Sequence, residues 1–195
     1  MKTSKTAIIA LAYLFFITLI TGLLYPLAVT LAANLVFPAQ SKGSLIVEGN
    51  EIKGSILIGQ EFKSDRFFHG RPSCSSYDPM TSSASNLSVT SAALKAEVDK
   101  RRGEWEKTYG TGNIPEEMLY ASASALDPEI SPEAALIQVE RISKARGYDE
   151  RQKNRLREYI KKNADPKDMA ILHIPRVNVI NLNLVLEENT QSNVD

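Results

Sequence analysis

The chain has 195 residues, with 23 basic against 23 acidic side chains and one cysteine, Cys74. Setting Lys2 and Lys5 aside leaves 21 basic and 23 acidic residues, a net charge of −2, which excludes a generally basic nucleic-acid surface. A single cysteine excludes an internal disulfide, and roughly 155 residues beyond the first forty suffice for one domain with a real core.

The first element is apolar. No charged residue lies between Lys5 and Lys42, and Ala7 to Leu24, at about 1.5 Å per residue, gives roughly 27 Å of helix, close to the thickness of a bilayer's hydrocarbon. A cleaved secretory signal is the competing reading, since Lys2 and Lys5 form a basic start and small residues stand near Thr30 and Ala32. Signal cores usually run only about 7–15 residues, however, so a retained anchor is expected. Pro26, which lacks a donor for the i−4 carbonyl, is expected to kink the helix or mark its exit. The apolar pattern nevertheless continues through Leu35, Val36 and Phe37, so a helix reaching there projects past the bilayer. Tyr25 suits the interface. Two lysines precede the helix and no Lys or Arg follows until Lys42, which predicts a cytoplasmic tail over 1–6, an anchor with its extension over 7–37, and an extracytoplasmic domain over 38–195. Thr18, Thr21 and Gly22 are small residues about one turn apart, a face that lets another helix approach. With Tyr25 and Pro26 they are the anchor's candidate partner contacts.

Beyond the anchor, Leu45–Glu48, Gly49-Asn50 and Glu51-Ile52 read as a hairpin, because Gly-Asn supplies positive φ. Ile56-Leu57-Ile58 reads as a further short strand. Residues 71–86, rich in serine and proline, have no usable period and read as an irregular, contact-bearing loop. Cys74 within it reads as a small, semi-buried residue. A helix is predicted from near Thr90, with Leu94, Val98, Trp105 and Tyr109 on one face and Gly110 and Gly112 as its stop. Ser131-Pro132 predicts a helix start and Gly147 its end, with Ala135, Val139 and Ile142 as the apolar stripe. Asp149 is the expected cap of a following helix carrying Leu156, Tyr159 and Ile160. Residues 177–184 alternate as a strand does, with a slip at Val179-Ile180 that predicts a bulge. The fold class is therefore a single N-terminal transmembrane helix plus one extracytoplasmic α+β domain.

Catalytic motifs are missing from this pattern. There is no phosphate-binding glycine loop, no Gly-x-Ser-x-Gly elbow and no His-Glu-x-x-His. His69 and His173 stand far apart without clustered cysteines, so no zinc site is expected. A triad of Ser124, His173 and Asp127 has no support from spacing. Residues 108–133 hold five acids and no Lys or Arg, while 141–162 hold nine basic residues. These read as two solvated faces that pair with each other, against a cation-concentrating mouth for the acidic run and headgroup binding for the basic one.

In order along nearly the whole chain, these segments resemble the C-subunit family of the Kdp potassium-transporting P-type ATPase. The resemblance rests on Thr21-Gly22-Leu23-Leu24-Tyr25-Pro26-Leu27, on Phe37-Pro38 with Gly43-Ser44, on Gly54-Ser55-Ile56-Leu57-Ile58-Gly59-Gln60 with Phe62, and on Phe67-Phe68-His69-Gly70-Arg71-Pro72-Ser73. It continues through Ser85-Asn86-Leu87, the run 121–132, Gln138-Val139, Arg141, Ala145-Arg146-Gly147 and the run 177–184. Where the family usually has glycine, this chain has Ala84, Ala123 and Ala125. It also has Ser88-Val89 for Gly-Pro, Cys74 for Ala, Glu117 for Asp and Glu129 for His. Such glycine-to-alanine changes are harmless only where the backbone does not need positive φ. The resemblance implies a non-catalytic accessory subunit needed for assembly of an ATP-driven K+ uptake pump in a bacterial or archaeal cell (inner) membrane. Its partners would be a channel-like K+-translocating subunit and a P-type subunit that hydrolyses ATP through an aspartyl phosphate. ATP and Mg belong to that complex, with no cofactor bound by this chain itself. The family is also described as raising the ATP affinity of the hydrolysing subunit. With ATP and the domain on opposite membrane faces, that effect would be a coupling energy passed through subunit packing. In the domain the resemblance makes Arg71, Pro72, Ser73, Asn86, Ser122, Ser124 and Asp127 candidate partner contacts. The alternatives are a membrane-anchored extracytoplasmic hydrolase, or a binding or scaffold protein unrelated to K+. An enzyme would stay active without residues 1–37.

Overall fold

A computed structural model describes residues 2–164 and 174–191, and the chain divides after Lys53 into two compact units. His173, and with it the Ser124–His173–Asp127 grouping, lies outside the described residues.

The first unit is built on α1 (Lys2–Leu19), a π-helical turn (Ile20–Leu24) and α2 (Tyr25–Val36). From Ser4 to Val36 these form 33 helical residues, none of them buried within the chain, with an 18-residue stretch of mean hydropathy 2.5. That is about 50 Å of helix. Pro26 neither ends nor interrupts it. A proline ring collides with the carbonyl four residues back and offers it no hydrogen. In the turn before it the Tyr25 N–H donates to Ile20 O, five residues back, and the widened turn gives the ring room. Polar side chains along the helix bond inward: Thr21 Oγ1 donates to Ile17 O at 2.7 Å and Asn34 Nδ2 to Thr30 O at 2.9 Å. After a 3₁₀ turn (Gln40–Lys42), β1 (Leu45–Glu48) and β2 (Glu51–Ser55) pair as the predicted hairpin, with Gly49 at φ 62° in its turn. Ile56-Leu57-Ile58 is not a strand but a turn, closed by the Ile58 N–H on Ser55 O at 3.3 Å.

In the second unit each of the four helices starts where a side chain caps it. Ser91 accepts from the Ala93 N–H ahead of α3 (Ala92–Tyr109), and Ser131 accepts from the Ala134 N–H ahead of α4 (Pro132–Arg146), which has proline in its first turn. Asp149 and Gln152 form a reciprocal capping box at the head of α5 (Glu150–Lys162). Gly110 and Gly147 close α3 and α4 at positive φ. A two-residue sheet pairs β3 (Glu129–Ile130) antiparallel with β4 (Val177–Asn178), Glu129 opposite Asn178 and Ile130 opposite Val177.

From Val179 to Gln191 the chain is α6, so the expected bulged strand over 177–184 is corrected to two strand residues and a helix. Asn178 is the pivot. Its Oδ1 accepts from the Ile180 and Asn181 N–H groups at 3.0 and 3.1 Å, and its Nδ2 donates to Ile56 O at 2.7 Å. Val179, Leu182, Asn183 and Leu186 are then buried at helical spacing. The core joins them to Phe68, Ile130, Ala135, Val139, Ile142 and Ile160, all at most 1% exposed. Each buried Val, Leu, Ile or Phe side chain contributes roughly 1.5–3 kcal/mol by leaving water. A smaller cluster of Val98, Ile114 and Leu119 lies under α3.

Candidate functional site

The site grows from an irregular segment, residues 66–71, that two buried amides grip. Asn183 Oδ1 accepts from the Phe68 N–H at 2.7 Å, and its Nδ2 donates to Phe68 O at 3.0 Å. Gln138 Oε1 accepts from the His69 N–H at 2.8 Å, and its Nε2 donates to His69 O at 3.0 Å. Each amide stands in for a neighbouring strand, which is why the segment can be buried without one. Two arginines of α4 finish the hold. Arg141 donates to Tyr109 Oη at 2.7 Å, to Phe67 O at 2.8 Å and to Asp65 Oδ1 at 3.4 Å. Arg146 donates to Arg66 O, Leu186 O and Glu187 Oε1, with its guanidinium 5.2 Å from the centre of the Phe67 ring.

These arginines are 7% and 1% exposed, so the basic run is not wholly the solvated face expected of it. Nor do the acidic and basic runs pair among the described residues. Lys153 and Arg157 reach Glu140, while Asp127 and Glu129 take Arg71 and Arg176.

Just beyond this segment three loops meet. Arg71 Nη1 donates to Asp127 Oδ2 at 2.9 Å, both side chains being about three-quarters buried. Asp127 Oδ1 accepts from the Glu129 N–H at 3.0 Å. Ser122 N–H donates to Pro72 O at 3.0 Å, Ser82 Oγ to Ser124 O at 3.1 Å, and Gly59 N–H to Leu126 O at 2.8 Å. Ser73 Oγ accepts from the Tyr77 N–H at 2.9 Å, and Tyr77 Oη donates to Arg71 O. The approach is so close that a Cβ on Gly59 would lie 2.6 Å from Asp127 O, and one on Gly70 2.7 Å from Tyr77 Oη. Ser76, Tyr77 and Ala125 all sit at positive φ, between 55° and 60°. Strained backbone of this kind persists only where its surroundings over-determine it.

Arg71, Pro72, Ser73 and Tyr77 also line one side of a cavity of about 440 Å³, facing Trp105 and Tyr109 of α3 and Arg141 of α4. Its titratable walls are shifted. Burial, seconded by Arg141, holds the His69 imidazole below its usual range. Its Nε2 lies 3.1 Å from Ser64 O, a pure acceptor, so the neutral ring carries its hydrogen there. Burial, then the nearby Asp127 and Glu61, pushes the Tyr77 phenol up to about 12, and burial also raises Tyr109.

The structure thus brings Arg71, Pro72 and Ser73 together with Ser122, Ser124 and Asp127. Asn86 stands exposed at φ 53°, and no hydrogen bond among the described residues ties it to them. Cys74 is exposed rather than semi-buried, its Sγ 2.8 Å from Ser83 O. Gly59, Gly70, Tyr77, Gln138 and Asn183 escape a reading by motif, although Gln138 and Asn183 gave a signal as amides placed among apolar neighbours. Thr18, Thr21, Gly22, Tyr25 and Pro26 lie on the anchor, the first at its α1 end and the others in or beside the π turn.

The family model described as the K+-transporting ATPase, c chain, matches residues 7–188. The chain belongs to this family. A potassium-transporting ATPase KdpC subunit from Rhodopseudomonas palustris (strain BisB5) is 44% identical over 200 residues, covering 93% of this chain and 96% of its own. Its namesakes from Methylobacterium nodulans and Bradyrhizobium diazoefficiens are 43% and 42% identical, over 88% and 91% of this chain and 91% and 94% of their own. As a C-family member the chain is an accessory subunit of a K+-transporting ATPase complex and not its hydrolytic one.

Proposed function

We propose that this C-family chain is the tether and brace of its complex. It would hold a channel-like K+-translocating subunit and a P-type ATP-hydrolysing subunit together, and so support the pump's assembly and stability. The observation that carries the reading is the anchor, 33 helical residues with an 18-residue stretch of mean hydropathy 2.5 and no side chain buried inside its own chain. A Cβ placed on Gly22 would meet only Thr18 Cγ2, at 4.0 Å, so this side is open to close approach by another helix. The loop junction of Arg71, Pro72, Ser73, Ser122, Ser124 and Asp127 supplies a second, stiff contact surface, to which exposed Asn86 adds a neighbouring loop.

Lys2 and Lys5 ahead of the helix's apolar run, with nothing basic after it until Lys42, support a single-pass topology in the cell (inner) membrane, with 1–6 cytoplasmic and 38–195 outside. ATP and Mg are then held by the hydrolysing partner on the other face. Any rise in its ATP affinity is a coupling energy carried through the packed subunits.

Gly22→Leu forces a neighbouring helix away, whereas Phe16→Leu exchanges one apolar side chain for another. In membrane packing such contacts are worth on the order of 1–2 kcal/mol. Gly22→Leu should therefore co-purify with the K+-translocating subunit several-fold less well than Phe16→Leu when the domain's contacts are weakened by competition. Equal retention removes this face from the interaction.

A further inference from the structure

We propose that the 440 Å³ cavity between the 66–77 segment and α3 is a binding site for a small free zwitterion, its carboxylate turned inward onto Arg71 and its cationic end at the mouth. The site shares Arg71, Pro72 and Ser73 with the proposed subunit-contact surface but does not depend on that role.

The inward half rests on Arg71. Its guanidinium has one hydrogen-bond partner among the described residues, Asp127 on Nη1, and Nε is buried with none. Asp127 is engaged on both oxygens, Oδ2 by Arg71 Nη1 and Oδ1 by the Glu129 N–H, and neither bonds to Nε. The Nε–Nη2 edge of an arginine is the edge that grips a carboxylate with two parallel bonds. A buried, unmatched donor on a charged group is costly, and a carboxylate reaching that edge with a small shift of its neighbours removes the cost.

The outer half rests on what surrounds the mouth. Glu61, Asp65 and Glu104 line the cavity and are exposed. Asp65 is engaged by Arg141 and Glu61 by Lys63, at 3.4 and 3.2 Å, which leaves Glu104 without an ion pair among the described residues. Arg101, which also lines the cavity, is held by Leu119 O and Glu97 at 2.9 and 3.2 Å, so Glu104 is the unmatched charge there and draws a ligand with a positive outer end. Between the two ends Trp105 and Tyr109, with ring centres 4.5 Å apart, offer an aromatic wall for a short apolar body and a π face for a cation. The volume falls in the range of small-molecule sites, and the shifted His69, Tyr77 and Tyr109 all line it.

Trp105 is the chain's one tryptophan, so its emission reports this cavity alone. The test titrates the purified full-length chain in detergent with 6-aminohexanoate, hexanoate and hexylamine. Expected is a saturable change with 6-aminohexanoate, binding by hexanoate about two- to five-fold weaker, as for loss of one exposed ion pair, and none by hexylamine. Arg71→Lys keeps the charge but not the fork and should weaken both acids by roughly tenfold or more. Glu104→Gln should erase the advantage of 6-aminohexanoate over hexanoate. Because Arg71 also holds a loop, Thr108→Phe, an exposed position on α3 at the cavity's edge, provides a second probe and should block all binding while leaving thermal unfolding unchanged. No saturable change with any probe, an affinity order indifferent to Arg71→Lys, or binding intact in a folded Thr108→Phe chain would overturn the assignment.

Discussion

Ala125 stands at φ 60° with its side chain fully buried, so it occupies with a Cβ a conformation that glycine adopts freely. A left-handed alanine costs roughly 1–2 kcal/mol, which is offset by about 0.8 kcal/mol from its buried methyl and about 0.4–1 kcal/mol from its stiffer unfolded chain. Ala125→Gly should therefore change stability by less than about 0.5 kcal/mol. Ala123 is exposed and not at positive φ, so Ala123→Gly has no strain to release and should cost roughly 0.4–1 kcal/mol through the unfolded chain. Chemical denaturation of the two variants decides it, and a greater loss at Ala125 would contradict the strain argument. Of the three alanines standing where relatives of this pattern usually carry glycine, only Ala125 needs the missing freedom. That distinction depends on φ, which no spacing reveals. The Arg71–Asp127 pair was equally hidden, because a separation of 56 residues leaves no periodicity to connect them, although both lay in runs that read as contact-bearing.

At the level of elements, the helices that announced themselves did so through their ends: Ser131-Pro132 and Gly147 around α4, and Asp149 before α5. Local chemistry decides a cap, so sequence suffices to place it. The run 177–184 misled because its β-branched and apolar residues alternate over a short span, while burial at Val179, Leu182 and Leu186 outweighs their weak helix propensity. The slip at Val179-Ile180 was the helix start, and Asn178 its cap. The same helix delivers Asn183 to the backbone of Phe68, as α4 delivers Gln138 to His69. Gln138→Leu or Asn183→Leu keeps volume but strands a buried N–H and C=O together. At about 1–3 kcal/mol for each orphaned group, either change should cost on the order of 2–5 kcal/mol. Thermal and chemical unfolding of the full chain in detergent should show it. A loss below 1 kcal/mol would mean the 66–71 segment finds other partners.

For the whole molecule, the open question of sidedness now has a usable reporter. Cys74 is exposed, so a membrane-impermeant thiol reagent should label it in intact spheroplasts. A Lys162→Cys substitution in a Cys74→Ser background, placing the thiol at an exposed position at the end of α5, should behave alike. Protection of both thiols until the cells are lysed would invert the topology proposed above. The composition already divided the chain into one apolar rod and one mixed-charge domain, whereas the two compact units part after Lys53, with the first hairpin strand on the anchor's side of the division. How the domain's loops converge was not legible, since it follows from buried amides and arginines reaching across some forty to more than a hundred residues.

The π turn ahead of Pro26 works as a one-residue dislocation in the anchor's screw. Each α-helical residue advances about 100° around the axis, and a π turn absorbs one extra residue. Everything after Leu24 is therefore wound back by about that angle relative to an unbroken helix. The side that carries Thr18 and Gly22 is continued above the turn by Leu27 and Leu31, where an uninterrupted helix would have brought Pro26 and Thr30. A straight neighbouring helix can then follow the small-residue side only as far as the turn, and meets a differently composed surface above it. Deleting one residue within 20–24 would restore the screw, and would also press the Pro26 ring back against its carbonyl.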